Sequence, residues 1–230
     1  MDTTPFNEVI EPKEADQTIA PMHVLIVCPN HGGCSPGFTY SVARAMTYFS
    51  SLPYEGEKSI DLKIIEGSIL PEVRTRLVSY GFDVGDTHLM WFDCDMSFPP
   101  DTIVRLMNHN HPVVAGNYAR RNINARPAAF VEGDDYIGPL FTKEDSEGLV
   151  EVKQAGMGCM LTDIRLFERL QLPFFKFEPM APDFVKQMGE DVYFCRKVAE
   201  LGIKIFVDQD LSKRIGHFGS FEYTHSFSMA

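Results

Sequence analysis

The stretch His88-Leu89-Met90-Trp91-Phe92-Asp93-Cys94-Asp95-Met96-Ser97-Phe98-Pro99-Pro100 decides how this chain is read. An apolar run breaks off at two carboxylates, and a proline-started helix follows. The run reads as a buried central strand. That sets the acidic pair at its carboxyl end, the edge where open α/β sheets bind ligands. Residues i and i+2 of a strand point to one side, so Asp93 and Asp95 are expected to converge on one hard cation. Carboxylates at that spacing repel unless a cation or proton separates them, which suggests a metal site. Asp208-Gln209-Asp210 repeats the spacing in the same acidic chain. Context, not the pattern alone, singles out the first pair.

Upstream, residues 23–28 form a first buried strand closed by Pro29-Asn30-His31-Gly32-Gly33. A glycine-bearing polar turn there is a usual meeting point of nucleotide and backbone, although the Gly-Lys-Ser/Thr ending of a P-loop is missing. A helical period covers residues 41–52, a second strand 62–66, and a helix opens at Pro71 and runs to Tyr80, stopped by Gly81. Downstream of the acidic pair come a helix from Pro100 to about His109 and a strand over 112–116. Alternation of this kind predicts a doubly wound, largely parallel sheet.

The pattern changes after Tyr118. Short strands are expected over 127–131, 140–142 and 149–153, and again at 159–161. Thr162 is placed as the cap of a helix over 163–170, and another helix runs from Gly189-Glu190-Asp191 to Leu201. A last strand, 204–207, precedes Lys213-Arg214-Ile215-Gly216-His217.

With 230 residues and 44% hydrophobic content, the chain has enough material for one full core. A net charge of -11 argues against a nucleic-acid groove, which needs a basic face. Five widely spaced cysteines without a CxxC pair read as reduced thiols, hence a cytoplasmic setting. No apolar stretch has the length of a transmembrane helix, and the acidic start lacks a signal-peptide pattern. The expected organisation is a flexible tail over 1–20, one domain over 21–219 and a C-terminal tail over 220–230.

The order of these features resembles GT-A fold glycosyltransferases, closest to the family 2 type and its viral or bacterial relatives. Carrying it are the first strand-turn, Arg74, Asp93-Cys94-Asp95, Gly156-Met157-Gly158-Cys159-Met160, Gly189-Glu190-Asp191 and the late His217. The resemblance implies a GT-A fold, a Rossmann-like doubly wound mixed sheet with a smaller antiparallel acceptor-side part. It implies transfer of a sugar from a nucleotide-diphosphate donor, UDP favoured over GDP, to an acceptor hydroxyl with inversion. Asp95 and His217 match metal ligands for manganese or magnesium, and Asp93 matches the carboxylate that reaches the ribose or the metal shell. Asp191 matches the general base, and Glu190 an acceptor or orienting contact. Pro29, Asn30, Glu66 and Arg74 match the nucleotide side. Asn117, Gly156, Gly158, Lys213 and Arg214 match donor or acceptor contacts. The chain's brevity argues against a membrane-lipid acceptor. A nucleotidyltransferase would place a basic loop after the first strand, yet residues 29–37 hold no Lys or Arg. A non-catalytic sugar-binding relative would not need Asp93, Asp95, Asp191 and His217 together.

Overall fold

Neighbouring residues of the first strand bury on opposite faces of one sheet, and this double burial organises the molecule. The computed structural model describes residues 19–121, 126–133, 136–180, 187–219 and 222–227. Of the tail expected over 1–20, all but Ile19 and Ala20 lies outside the described residues.

The first half alternates β1 (Met22–Asn30), α1 (Pro36–Ser51), β2 (Lys58–Glu66), α2 (Leu70–Val84) and β3 (His88–Phe92). Then come β4 (Met96–Ser97), α3 (Thr102–Asn108) and β5 (Val113–Ala115). A strand-rich stretch follows with β6 (Phe130–Glu132), β7 (Ile137–Pro139), β8 (Leu149–Val152) and β9 (Cys159–Asp163). The remainder is α4 (Arg165–Arg169), β10 (Glu178–Pro179), β11 (Gln187–Met188), α5 (Glu190–Glu200), β12 (Ile205–Asp208), α6 (Gln209–Ser212), β13 (Gly216–Phe218) and β14 (Glu222–Tyr223).

Seven strands make the main sheet in the order β2-β1-β3-β9-β5-β12-β8. β2, β1, β3, β5 and β12 run one way, while β9 and β8 are reversed. Leu25, Val27, Leu89 and Trp91 pack with α2, α4 and α5 on one face. Val24, Ile26, Cys28, Met90 and Phe92 pack with α1, α3 and α6 on the other. Strands covered on both faces are continuously apolar, which is why β1 and β3 were legible as runs. The result is a mixed α/β, Rossmann-like architecture.

Several boundaries differ from expectation. α1 begins at Pro36, because the Ser35 hydroxyl accepts the Phe38 N–H and proline suits the first helical position. α2 continues past Gly81 to an αL glycine, Gly85. A Cβ at Gly81 would sit 2.7 Å from the Leu89 side chain, so the glycine permits close helix–sheet packing. Thr162 caps nothing. It is buried within β9, where its hydroxyl accepts the Trp91 indole N–H at 3.0 Å, and Asp163 receives the Arg165 N–H instead. The strand expected over 140–142 is replaced by β7, which pairs with β6, while β8 joins the main sheet beside β12. Glu222 and Tyr223, set apart in the sequence as tail, pair with β13, and Tyr223 is buried. Their two-residue strand is too short to leave a period.

The second Asp-x-Asp proves to be structural. Asp208 is fully buried; it caps α6 by accepting the Leu211 N–H and is bound by Arg105 and by His109 Nε2 at 2.7 Å. Burial works to raise its pKa, but Arg105, His109 and the Leu211 amide outweigh it and hold the carboxyl below its usual value of 3.8. A depressed carboxylate stabilises the fold above its unfolded pKa and loses that contribution as pH falls through the folded value. Asp208→Asn is therefore expected to cost about 2 kcal/mol at pH 7, less than a sealed pair because Arg105 is partly exposed. The difference from wild type should shrink as pH falls below 3.8 and through the folded value. Urea unfolding at pH 7, 5 and 3 checks it, and a difference independent of pH would exclude an ionic role.

Candidate functional site

β3 delivers Asp93 and Asp95 to the carboxyl edge of the sheet, but not by strand alternation. The strand ends at Phe92, and the Met96 N–H bonds the Asp93 carbonyl at 3.1 Å, so Asp93-Cys94-Asp95 is a tight turn. The turn parts the two carboxylates. Asp93 Oδ1 receives Arg74 Nη2 at 3.1 Å, whereas Asp95 faces His217 and Arg121. The strand alternation expected for the pair is therefore absent, and each carboxylate meets its own partners while both border one cleft.

His217 arrives through β13, which pairs with β4 immediately after Asp95; the Phe218 N–H also bonds the Asp95 carbonyl at 2.7 Å. The His217 ring is buried, and its Nδ1 lies 3.0 Å from the Ala119 carbonyl. A carbonyl only accepts, so Nδ1 donates to it, and Nε2 is the ring nitrogen left to face Asp95. That Nε2 is 3.3 Å from Asp95 Oδ1, which is shielded from solvent and has no hydrogen-bond partner among the described residues. An imidazole nitrogen and a carboxylate oxygen at this distance suit a shared proton or a cation between them. Partial burial works to raise the Asp95 pKa, but His217 and Arg121 outweigh it and hold the carboxyl below its usual value. Among the described residues, no three His, Cys, Asp or Glu side chains form a ready-made metal cluster.

A cleft of about 290 Å³ opens here, bordered by Pro29, Asn30, Leu70, Asp93, Asp95 and His217. Asn30 closes the loop after β1 by accepting the Gly33 N–H, and its register partner on β2 is Glu66, which is exposed. The cleft thus joins the ends of β1 and β3.

Behind it lies a buried ionic strut. Arg74 on α2 is 2% exposed, with Nη2 on Asp93 and Nε 3.3 Å from Glu190 Oε1, its guanidinium stacked over Trp91 at 5.6 Å. The match to a nucleotide contact is not what its environment provides, since it is sealed between two acids. Glu190 is buried too, and desolvation raises its pKa against the opposing Arg74 charge, with Asp191 adding to the rise. Asp191 is half-buried and accepts the Val192 N–H at 2.7 Å, while Gly189, the N-cap, contributes no side chain. Tyr118 is enclosed nearby; burial, then the charges of Asp93 and Asp191, push its hydroxyl well above the usual phenol range. Its hydroxyl accepts the Gly158 N–H at 2.9 Å. A Cβ at Gly156 would come within 2.3 Å of that oxygen and one at Gly158 within 2.7 Å, so both glycines make room for Tyr118.

The other matched residues are occupied elsewhere. The Asn117 amide donates to the Leu140 carbonyl and the Thr142 hydroxyl, and its oxygen accepts two backbone N–H groups. Lys213 binds Asp210 at 3.2 Å and Arg214 chelates Asp101 at 3.1 Å. The sequence reading missed Arg121, whose Nη1 lies 2.7 Å from Asp95 Oδ2, although an arginine doublet in so acidic a chain was a usable signal. Nothing local announced Tyr118. All five cysteines are free, and the Cys94 thiol donates to the Pro29 carbonyl at 3.8 Å.

Fold and cleft together define a mixed α/β protein with a Rossmann-like sheet and an acidic cleft at its strand ends. The crystal structure of A197 from STIV shares this fold, with a TM-score of 0.58 and 16% identity over 86% of each chain. At that identity the likeness speaks for the fold alone. No family model matches the chain, and no curated protein matches it. No helix among the described residues is long and apolar enough to cross a membrane.

Proposed function

We propose that the chain is a GT-A type, metal-dependent glycosyltransferase that moves a sugar from a nucleoside-diphosphate donor to an acceptor hydroxyl with inversion. The observation that carries this reading is Asp95 Oδ1, shielded from solvent and without a hydrogen-bond partner among the described residues, 3.3 Å from Nε2 of His217 in a cleft at the carboxyl edge of the sheet. Those two side chains suit a divalent cation, manganese or magnesium, with a carboxylate and an imidazole whose other nitrogen is fixed by a carbonyl. Such an ion, when bound, would offset the charge that builds on the departing diphosphate.

The chain's own residues supply the rest. Pro29 and Asn30, with Glu66 beside them, form the edge suited to base and ribose. Asp93, held by Arg74, borders the same cleft. Asp191 takes the acceptor's hydroxyl proton as the acceptor oxygen bonds to the anomeric carbon and the carbon–diphosphate bond breaks. Glu190 is spent on Arg74, which favours its neighbour as base. UDP is preferred over GDP by the resemblance alone. A nucleotidyltransferase finds less support, since residues 29–37 carry no basic side chain.

Calorimetry with UDP, GDP and CMP, each with manganese and with EDTA, tests the reading. One nucleoside diphosphate is expected to bind at least tenfold more tightly with manganese. Asp95→Ala should abolish that difference without shifting the thermal melt. Equal affinity with and without the ion would overturn the assignment.

A further inference from the structure

Arg121 sits where a divalent cation would have to act. Its Nη1 is 2.7 Å from Asp95 Oδ2, on the same carboxylate whose other oxygen faces His217, and its side chain is 54% exposed. A guanidinium and a divalent ion on one carboxylate repel each other, so tight occupation by one favours departure of the other. An exposed arginine has somewhere to go. Arg120, Arg121, His217 and Gly219 border a second hollow of about 570 Å³, which shares Arg121 and His217 with the acidic cleft. Arg120 stacks over Phe130 at 5.7 Å and forms no ion pair among the described residues. Lys213 and Arg214, by contrast, are already paired with Asp210 and Asp101. In a chain of net charge -11, two adjacent arginines beside the site are a local reversal of the field.

We propose that Arg121 is a resident countercation of Asp95 that yields to a divalent ion and then, together with Arg120, binds a diphosphate in the adjoining hollow. The inference rests on the cation site proposed above and adds to it an anion subsite and an exchange of partners. Guanidinium groups bind phosphate oxygens through paired N–H donors, so the chemistry fits both arginines. Metal and diphosphate then bind with positive linkage, because each removes a competitor of the other.

Calorimetry with manganese alone, inorganic pyrophosphate alone, and both together tests this on the wild type and on Arg121→Ala, Arg121→Lys and Arg120→Ala. Arg121→Ala should bind manganese alone roughly two- to fivefold more tightly, the gain expected from removing one exposed ionic competitor. Arg121→Lys, which keeps the charge, should return that affinity towards wild type. With manganese saturating, both alanine variants should bind pyrophosphate about tenfold more weakly, the loss of one charge-assisted contact. Arg120→Ala should leave affinity for manganese alone unchanged. Unchanged or weaker manganese binding by Arg121→Ala would overturn the countercation role, and unchanged pyrophosphate affinity in both alanine variants would overturn the subsite. Manganese binding to neither wild type nor Arg121→Ala, with or without pyrophosphate, would remove the cation site itself and with it the proposed transferase. Thermal melts of all four proteins show whether any change reflects folding.

Discussion

Asp191→Asn is expected to lower sugar transfer by about 10²–10⁴-fold while leaving manganese and nucleotide affinity within twofold of wild type. Asparagine keeps the size of the side chain and an oxygen for the Val192 N–H, but it cannot take a proton. The loss should therefore fall on kcat. Glu190→Gln should act differently, because Glu190 is buried and bound to Arg74. Its effect belongs to stability and to the setting of Asp93. Single-turnover transfer with the nucleotide sugar identified by calorimetry measures the first effect, and NMR of the product reads the anomeric configuration. Retention of configuration, or transfer at the wild-type rate, would leave Asp191 as no more than part of the helix start.

The largest structural effect is expected at Arg74. Arg74→Leu removes the only cation that binds both Asp93 and Glu190 among the described residues, and leaves the buried Glu190 without a countercharge there. Stranding a buried charge costs about 3–5 kcal/mol, and each kcal/mol lowers the melting temperature of a domain this size by about 2–4 °C. The pH dependence follows from Glu190. Its pKa already lies above the usual value through burial, with Arg74 opposing the rise, so losing Arg74 raises it further. A carboxylate with a raised folded pKa binds more protons folded than unfolded, and stability then falls as pH rises through that value. The Arg74→Leu deficit should accordingly shrink as pH is lowered from 7 towards 5. Differential scanning calorimetry at both values decides it, and a deficit that grew on acidification would contradict this account. Arg74→Lys should fall between the two, since it keeps the charge but not the fork that reaches two acids at once.

Much of the layout was legible because it depends on local period. Continuous apolar runs marked β1 and β3 as strands covered on both faces, and the 3.6-residue period marked α5 to within a residue of its ends. Asp93 and Asp95 were legible as a pair for the same reason, since they end an apolar run. Short two- and three-residue strands were not, as β13 and β14 illustrate: so few residues carry no period and form only against a partner. Thr162 shows the opposite failure. Its residue type suits a helix cap, but the buried Trp91 indole needed an acceptor, and the hydroxyl went there.

The sequence by itself determined that this chain builds an α/β sheet, that an acidic pair closes a central strand, and that a paired acid opens α5. Those are properties of neighbouring residues, set by side-chain period, capping and burial along the chain. Tertiary structure alone decided which partners these acids meet. Arg74 joins Asp93, 19 residues away, to Glu190, 116 residues away, and the β4–β13 pairing sets His217 against Asp95. Arg121 holds the other oxygen of that carboxylate. The same Asp-x-Asp spacing became a structural cap at Asp208 and a candidate ligand at Asp95, because at Asp208 Arg105 and His109 satisfy the charge. At Asp95 one oxygen faces the His217 imidazole and has no hydrogen-bond partner among the described residues. Partner choice depends on which distant segments pack together, and no spacing within one segment encodes it.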